Sequence, residues 1–349
     1  MKPHATGRAP RLVGVLACAV ALIAGCGSAP ATTPTMAPLV HGPGVATAPP
    51  VEPAPTPPAT AATVQGAATP RFLVRLSHIR LATPTTRSVA FATGQGIVLA
   101  GGLTAAGTTG AVSRISLPGG QVVAVGRLAR PVHDAAGVTL GGAILVFGGG
   151  VTTQDAWVQR IAGHGGGSIT GQLPARRADL SAAIVGSEAI IVAGGAGGRA
   201  DPRVLATTDG RHFRVVARLP VAVRYAAVTA VAGLVFVIGG ATTAGDAGTI
   251  QVVDVAAGTA RVVGRLPVST SHATALTIGD SIVVAGGRHA GRALDSIIAI
   301  DPTTYAVRLA GRLPRPASDA AGVVVGGVGY LLGGESAHPL ATVVTITGI

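Results

Sequence analysis

Short apolar runs closed by glycine recur along the chain from residue 71 onward at a regular spacing. Glycine doublets that end such a run begin at Gly101, Gly148, Gly194, Gly239, Gly286 and Gly333, so the repeating unit is 45 to 47 residues long. A second column runs in phase with the first: Arg80-Leu81, Arg127-Leu128, Gln172-Leu173, Arg218-Leu219, Arg265-Leu266 and Arg312-Leu313, each followed within three residues by a proline. Within the last unit, apolar residues 320–325 and 328–332 flank Gly326-Gly327, a pairing that predicts a hairpin whose two turn residues take positive φ. The fourth unit shows the remainder, a third strand over 250–255 and a fourth over 260–265, joined by residues 256–259. Self-similarity at this period is the signature of radial or stacked repeats. Six units of four strands predict an all-β, six-bladed propeller.

The count leaves the last unit one strand short. Its third strand, 342–346, is followed by only three residues, while residues 71–76 stand where a fourth strand would precede Arg80-Leu81. The N-terminal strand is therefore expected to complete the last blade, closing the ring and satisfying edge groups that would otherwise invite aggregation.

The succession of strand, strand ending in Gly-Gly, strand, strand resembles the kelch repeat, and the resemblance covers residues 71–349. It implies a β-propeller. One departure stands out: kelch repeats usually carry Tyr and Trp in the third and fourth strands, where this chain has only Trp157 and Tyr305. Smaller Val and Ile must then fill the gaps between blades.

Ahead of the repeats the pattern changes twice. Lys2, Arg8 and Arg11 precede an apolar run over 12–24 that is too short to span a bilayer comfortably, and the run ends in Leu22-Ile23-Ala24-Gly25-Cys26. This end resembles the bacterial lipobox, which implies cleavage of residues 1–25 and diacylglyceryl attachment at Cys26. Two acyl chains make such an anchor stable, at about 0.8 kcal/mol per buried CH₂. Residues 26–70 are almost wholly Ala, Pro, Thr, Gly and Val, a composition that builds no core and predicts a disordered, proline-rich stalk with an extended polyproline bias. The expected organisation is a signal over 1–25, a lipidated stalk over 26–70 and a propeller over 71–349. The expected location is the outer face of the cytoplasmic membrane or the cell surface, with the lipid bilayer as one partner.

Composition narrows the chemistry. Cys18 leaves with the signal and Cys26 is the only other cysteine, so the mature chain has no internal disulfide, no cysteine zinc site and no catalytic cysteine in the propeller. The Tyr-Cys pair required for the copper chemistry known on kelch propellers is missing as well. Residues 71–349 carry 23 arginines against 13 acidic residues, scattered singly. Outside the cytoplasm such scattered charge reads as a solvated surface or an anion-facing patch rather than as a nucleic-acid site. Only Glu188 and Glu335 represent glutamate in the propeller, and no nucleophile-base-acid set stands out. Thr207-Thr208-Asp209-Gly210-Arg211-His212-Phe213 looks like the Asp-box hairpin of sialidase-type propellers but is one residue short, and is read as a β-turn. No cofactor, metal or catalytic residue is assigned.

In a propeller wound this way, the loops entering each innermost strand and those after Gly-Gly share one face, and loops on a rigid scaffold are where function sits. His133, Arg199, His289 and Arg315 fall on that face. The candidate binding set drawn from it is Arg87, Asp134, Arg176, Arg177, Asp179, Arg224, Tyr225, His272, Arg288, Asp319 and Glu335. Six of these, Arg87, Asp134, Asp179, Tyr225, His272 and Asp319, stand seven residues after the column Arg or Gln172, one per blade. Three aspartates and a histidine in such a ring suggest a cation, but the plainer expectation is that their side chains hydrogen-bond loop backbone. The expected function is a monomeric, non-enzymatic binding module for an acidic glycan, a wall polymer or a protein. The alternatives are a sugar-acting enzyme of the kind the kelch resemblance implies, a sialic-acid-type mutarotase, and a structural factor of an envelope complex.

Overall fold

The structure, a computed structural model, describes residues 71–94 and 96–349, and every regular element among them is a strand. The signal, Cys26 and the proline-rich stalk lie outside the described residues. Six antiparallel sheets each carry a hydrogen-bonded path of four strands, in chain order in five of them, the first from Val89–Thr93, Gly96–Ala100, Ala111–Ser116 and Val122–Arg127, and the third sheet gains a short fifth strand, Arg199–Ala200. The sixth contains Ala321–Val325, Val328–Leu332 and Thr342–Gly348, and its outermost strand is Phe72–Arg80 from the opposite end of the described chain. The pairing runs from Phe72↔Gly348 to Leu76↔Val344, then shifts register before Arg80↔Thr342. The ring closes as the strand count requires. Both closing strands are longer than the sequence pattern indicates: the outer strand continues past the shift to Arg80, and at the other end Thr347 and Gly348 pair with Leu73 and Phe72.

The repeat columns have structural causes. Hairpin turns such as Gly326 (φ 58°) and Gly327 (φ 78°) take positive φ at both central residues, the form whose twist matches the flanking strands. The column leucines are all buried. Each donates its N–H to the residue just before the third strand of its own blade, from Leu128 to Gly110 O at 2.7 Å through Leu81 to Ala341 O at 2.9 Å. The glycine doublets exist because a neighbouring loop crosses them: a Cβ on Gly148 would lie 2.3 Å from Arg177 O, and one on Gly333 2.1 Å from Thr85 O. In five blades the third and fourth strands slip register once, between the second and third residues of the third strand, which adds twist to the outer edge.

Buried side chains form six clusters, one in each gap between neighbouring blades. The gap between blades 6 and 1 holds Ile79, Ile97, Leu99, Ile115, Leu332 and Val343, so the closing strand contributes to the core as well as to the sheet. Val, Ile, Leu and Ala do most of the filling, with Phe147 and Phe236 as fully buried exceptions on second strands. The inner strands leave a narrow central cavity of about 170 Å³, lined by small residues such as Ala90, Ala136, Ser181, Ala227 and Gly322.

Candidate functional site

At one mouth of the channel the six residues predicted to form a ring do so through their backbone. Arg87, Asp134, Asp179, Tyr225, His272 and Asp319 all sit in the left-handed region, with φ between 53° and 60°. Each donates its N–H to the carbonyl of the ring residue one blade back, and the circuit closes from Arg87 to Asp319 O at 2.9 Å. The longest link, Asp134 to Arg87 O, is 3.3 Å. A non-glycine residue in this conformation costs about 1 to 3 kcal/mol and persists only where its surroundings over-determine it. Here the circuit does so, and Asp and His are among the side chains that tolerate the conformation best.

The ring side chains hold one another rather than loop backbone, which corrects the plainer expectation. Arg87 Nη1 lies 3.2 Å from Asp134 Oδ2, its Nε 3.8 Å from Asp319 Oδ1 and its Nη2 3.7 Å from Glu335 Oε1. His272 Nδ1 lies 2.7 Å from Asp319 Oδ1, and the His272 ring stacks on Tyr225 with centroids 3.9 Å apart. Arg224 donates to Asp179 at 2.5 Å and to the Tyr225 hydroxyl at 3.3 Å. Arg288 pairs with Glu335 and lies 3.3 Å from Asp319. Nine of the eleven candidate residues thus converge in one network, because the loop entering each innermost strand bridges to the loop after Gly-Gly in the same blade, as at Ser318↔Glu335 and Ser271↔Arg288.

Burial sets the electrostatics of this plug. Desolvation pushes the Asp134 carboxyl up to about 7, with nearby Asp179 and Asp319 adding to the rise and Arg87 resisting it. At Asp319 burial acts in the same direction, but the hydrogen bond and charge of His272 together with Arg87 outweigh it and hold the carboxyl below its ordinary value. Burial also raises the Tyr225 phenol, assisted by the Asp134 and Asp179 charges. His133, whose Nε2 is 3.6 Å from Asp134, is lowered by burial and by Arg87. Among the described residues no group of three His, Cys, Asp or Glu side chains is placed to hold a metal ion.

Two candidates fall outside the network. Arg177 is no part of a binding face: it is 1 % exposed, its Nη2 lies 2.5 Å from Asp201 Oδ2, and its Nη1 donates to Arg203 O at 3.2 Å. It is a buried tie between the loop and the third strand of blade 3, and with Arg203 it holds the Asp201 carboxyl well below the usual range against the opposing effect of burial. Arg176 points the other way, is largely exposed, and donates to Gln154 O at 3.1 Å.

Beside the plug, between blades 3 and 4, the loop face has a depression of about 240 Å³ lined by Gly198, Arg199, Ala222, Arg224, Thr242 and Thr243. Arg224 is shared with the plug, while Arg199 is exposed and has no acidic partner among the described residues. The sequence places Arg199 on this face, but nothing in it marks Thr242 and Thr243, which lie in the loop after Gly239-Gly240. The Asp-box-like segment is a hairpin turn, as read, with Asp209 Oδ1 accepting from the N–H groups of Arg211 at 2.8 Å and His212 at 2.9 Å.

Three comparisons bear on this geometry. A family model for the kelch motif matches residues 269–312, the loop and strands of blade 5. No curated protein matches the sequence significantly. Among solved structures, the one titled "Structure of YjhT" aligns with a TM-score of 0.67 at 13% identity, covering 77% of this chain and 99% of that one, a likeness of fold alone. With the six closed blades, the glycine-doublet period and the matched motif taken together, residues 71–349 form a six-bladed β-propeller that carries the kelch motif in blade 5.

Proposed function

We infer that the protein is an extracytoplasmic, non-enzymatic binding module whose loop face recognises an anionic ligand, an acidic glycan or wall polymer, at the depression between blades 3 and 4. The observation that carries this reading is the pairing of Arg199 and Arg224 across a hydroxyl-bearing hollow of about 240 Å³. Most charged groups at the centre of the face are spent on one another, whereas Arg199 is exposed and lacks an acidic partner. A guanidinium in such a position offers the bidentate geometry that carboxylates and phosphates take. The test is titration of the protein with acidic sugars and envelope polymers: Arg199→Ala is expected to weaken binding about tenfold and to flatten its salt dependence, and unchanged binding would move the site elsewhere.

Lipidation at Cys26 is part of the same proposal, since a tethered module samples polymers near the membrane. Cys26→Ser is expected to release the protein from the membrane fraction, and retention there would refute the anchor. A second reading, a sugar-acting propeller enzyme, has one observation in its favour: Asp134 titrates near neutrality beside Arg87 and His133. Its side chain is only 9% exposed, held within the plug, so a substrate reaches it only if the network opens. Turnover measured alongside binding separates the two.

A further inference from the structure

Blades 1 and 4 correspond at a constant offset over their first three strands, and the inner hairpins of blades 2 and 5 share it. The gap between blades 1 and 2 is therefore directly comparable with the gap between blades 4 and 5. In the latter, Phe236 on the second strand of blade 4 is fully buried, and Tyr305 reaches across from blade 5, the ring centroids lying 6.2 Å apart. The Tyr305 hydroxyl accepts a hydrogen bond from Arg261 at 2.8 Å. Val252 and neighbouring aliphatic residues complete the packing.

Between blades 1 and 2, Val98 and Arg114 occupy the positions of Phe236 and Val252 at that offset, and Gly165, two residues before the fourth strand of blade 2, stands where Tyr305 stands two residues before the fourth strand of blade 5. Gly165 keeps the left-handed backbone of Tyr305, at φ 89° against 60°, but supplies no ring. Nor has it room for one, since a Cβ there would lie 2.4 Å from Val125 O. Phe91, standing where blade 4 has Thr229, fills this gap on the side of the innermost strands, beside Gly137, and the absence of the other two rings leaves a cavity of about 260 Å³ that opens on the turn face, opposite the loop face, and is walled by Val98, Val112, Val125, Ile144, Ile161 and Arg114. Arg114 places a cation in this apolar wall and donates to Gly163 O at 3.1 Å.

We propose that the cavity between blades 1 and 2 is a ligand site for a small planar aromatic carboxylate, its ring lying where Phe236 and Tyr305 lie between blades 4 and 5 and its carboxylate meeting Arg114. The size is sufficient, because an aliphatic cavity of about 150 Å³ already admits benzene. Apolar walls with one well-placed polar group are the usual make-up of small-molecule sites. The site shares no residue with the loop-face depression and does not depend on the function inferred for it.

The experiment uses the full chain and two probes, benzoate and the uncharged benzyl alcohol, with binding followed by calorimetry and ligand-observed NMR. Arg114→Gln is expected to weaken benzoate about tenfold or more, the loss of a charge-assisted hydrogen bond, while changing benzyl alcohol by less than about threefold. Val98→Phe restores the ring present at Phe236, so it is expected to abolish binding of both probes without lowering the melting temperature. Arg199→Ala is expected to leave benzoate binding unchanged. The proposal is overturned if the unmodified protein binds neither probe, if Arg114→Gln binds benzoate as tightly as the parent, if Val98→Phe still binds, or if Arg199→Ala rather than Arg114→Gln removes the carboxylate preference.

Discussion

Replacing Asp134 with asparagine separates the cost of burying a charge from every other feature of the plug. In the folded protein the Asp134 carboxyl titrates at about 7 against an ordinary value of 3.8. For a group whose pKa is raised on folding, the stability it contributes is fully present below the unfolded pKa and is lost as pH rises through the folded one. Integrating that linkage between pH 5 and pH 8 gives a loss of about 2 to 3 kcal/mol from this carboxyl, at roughly 1.4 kcal/mol per pKa unit. Asparagine keeps the size and one acceptor for Arg87 but does not ionise. Urea unfolding of the parent and of Asp134→Asn at pH 5 and pH 8 therefore has a definite expected pattern. The parent loses stability relative to the variant by about 2 to 3 kcal/mol between the two pH values. Subtracting the variant also removes the opposite slope expected from His133, whose lowered pKa makes it a source of stability as pH rises. A parent-minus-variant difference that stays the same at both pH values would refute the reasoning, because the burial penalty would then not fall on Asp134.

Further consequences concern the scaffold. Deleting residues 72–80 removes the strand paired with Thr342–Gly348 and takes Ile79 from the core between blades 6 and 1; the melting temperature should fall by more than about 10 °C, and an unchanged value would contradict ring closure. Arg177→Ala leaves Asp201 without one of its two arginine partners and opens a void at a fully buried position, so chemical denaturation should show a loss of about 3 to 5 kcal/mol, whereas the same change at exposed Arg176 should cost under about 0.5 kcal/mol.

The fold was legible because each of its requirements leaves a mark at one position per unit. A loop carbonyl 2.3 Å from where a Cβ would stand on Gly148 excludes any residue but glycine there, and a leucine that plugs the base of every blade repeats in phase with it. Closure followed from counting strands. The site was legible only in part. The six ring positions could be listed from their spacing, but left-handed backbone is disguised when Arg, Tyr and His adopt it alongside Asp. The ion pairs were hidden too, since Arg87 meets Asp134 from 47 positions away across a blade boundary. Arg177 was misplaced for a local reason. It immediately precedes the strand Ala178–Val185, where side chains begin to alternate, so it points inward while Arg176 points out. The scarcity of aromatic residues did foretell that Val and Ile fill most of the space between blades, but only equivalent positions compared in space show where a cavity remains.

The loop face is proposed to bind an anionic ligand and to perform no chemistry on it. The most direct measurement is titration of the purified protein with a panel of acidic sugars and envelope polymers at low and physiological salt, with substrate turnover followed in the same samples. The expected result is saturable binding that weakens as salt rises, is diminished by Arg199→Ala, and is accompanied by no turnover. Turnover that disappears in Asp134→Asn would contradict it and place a catalytic centre in the plug.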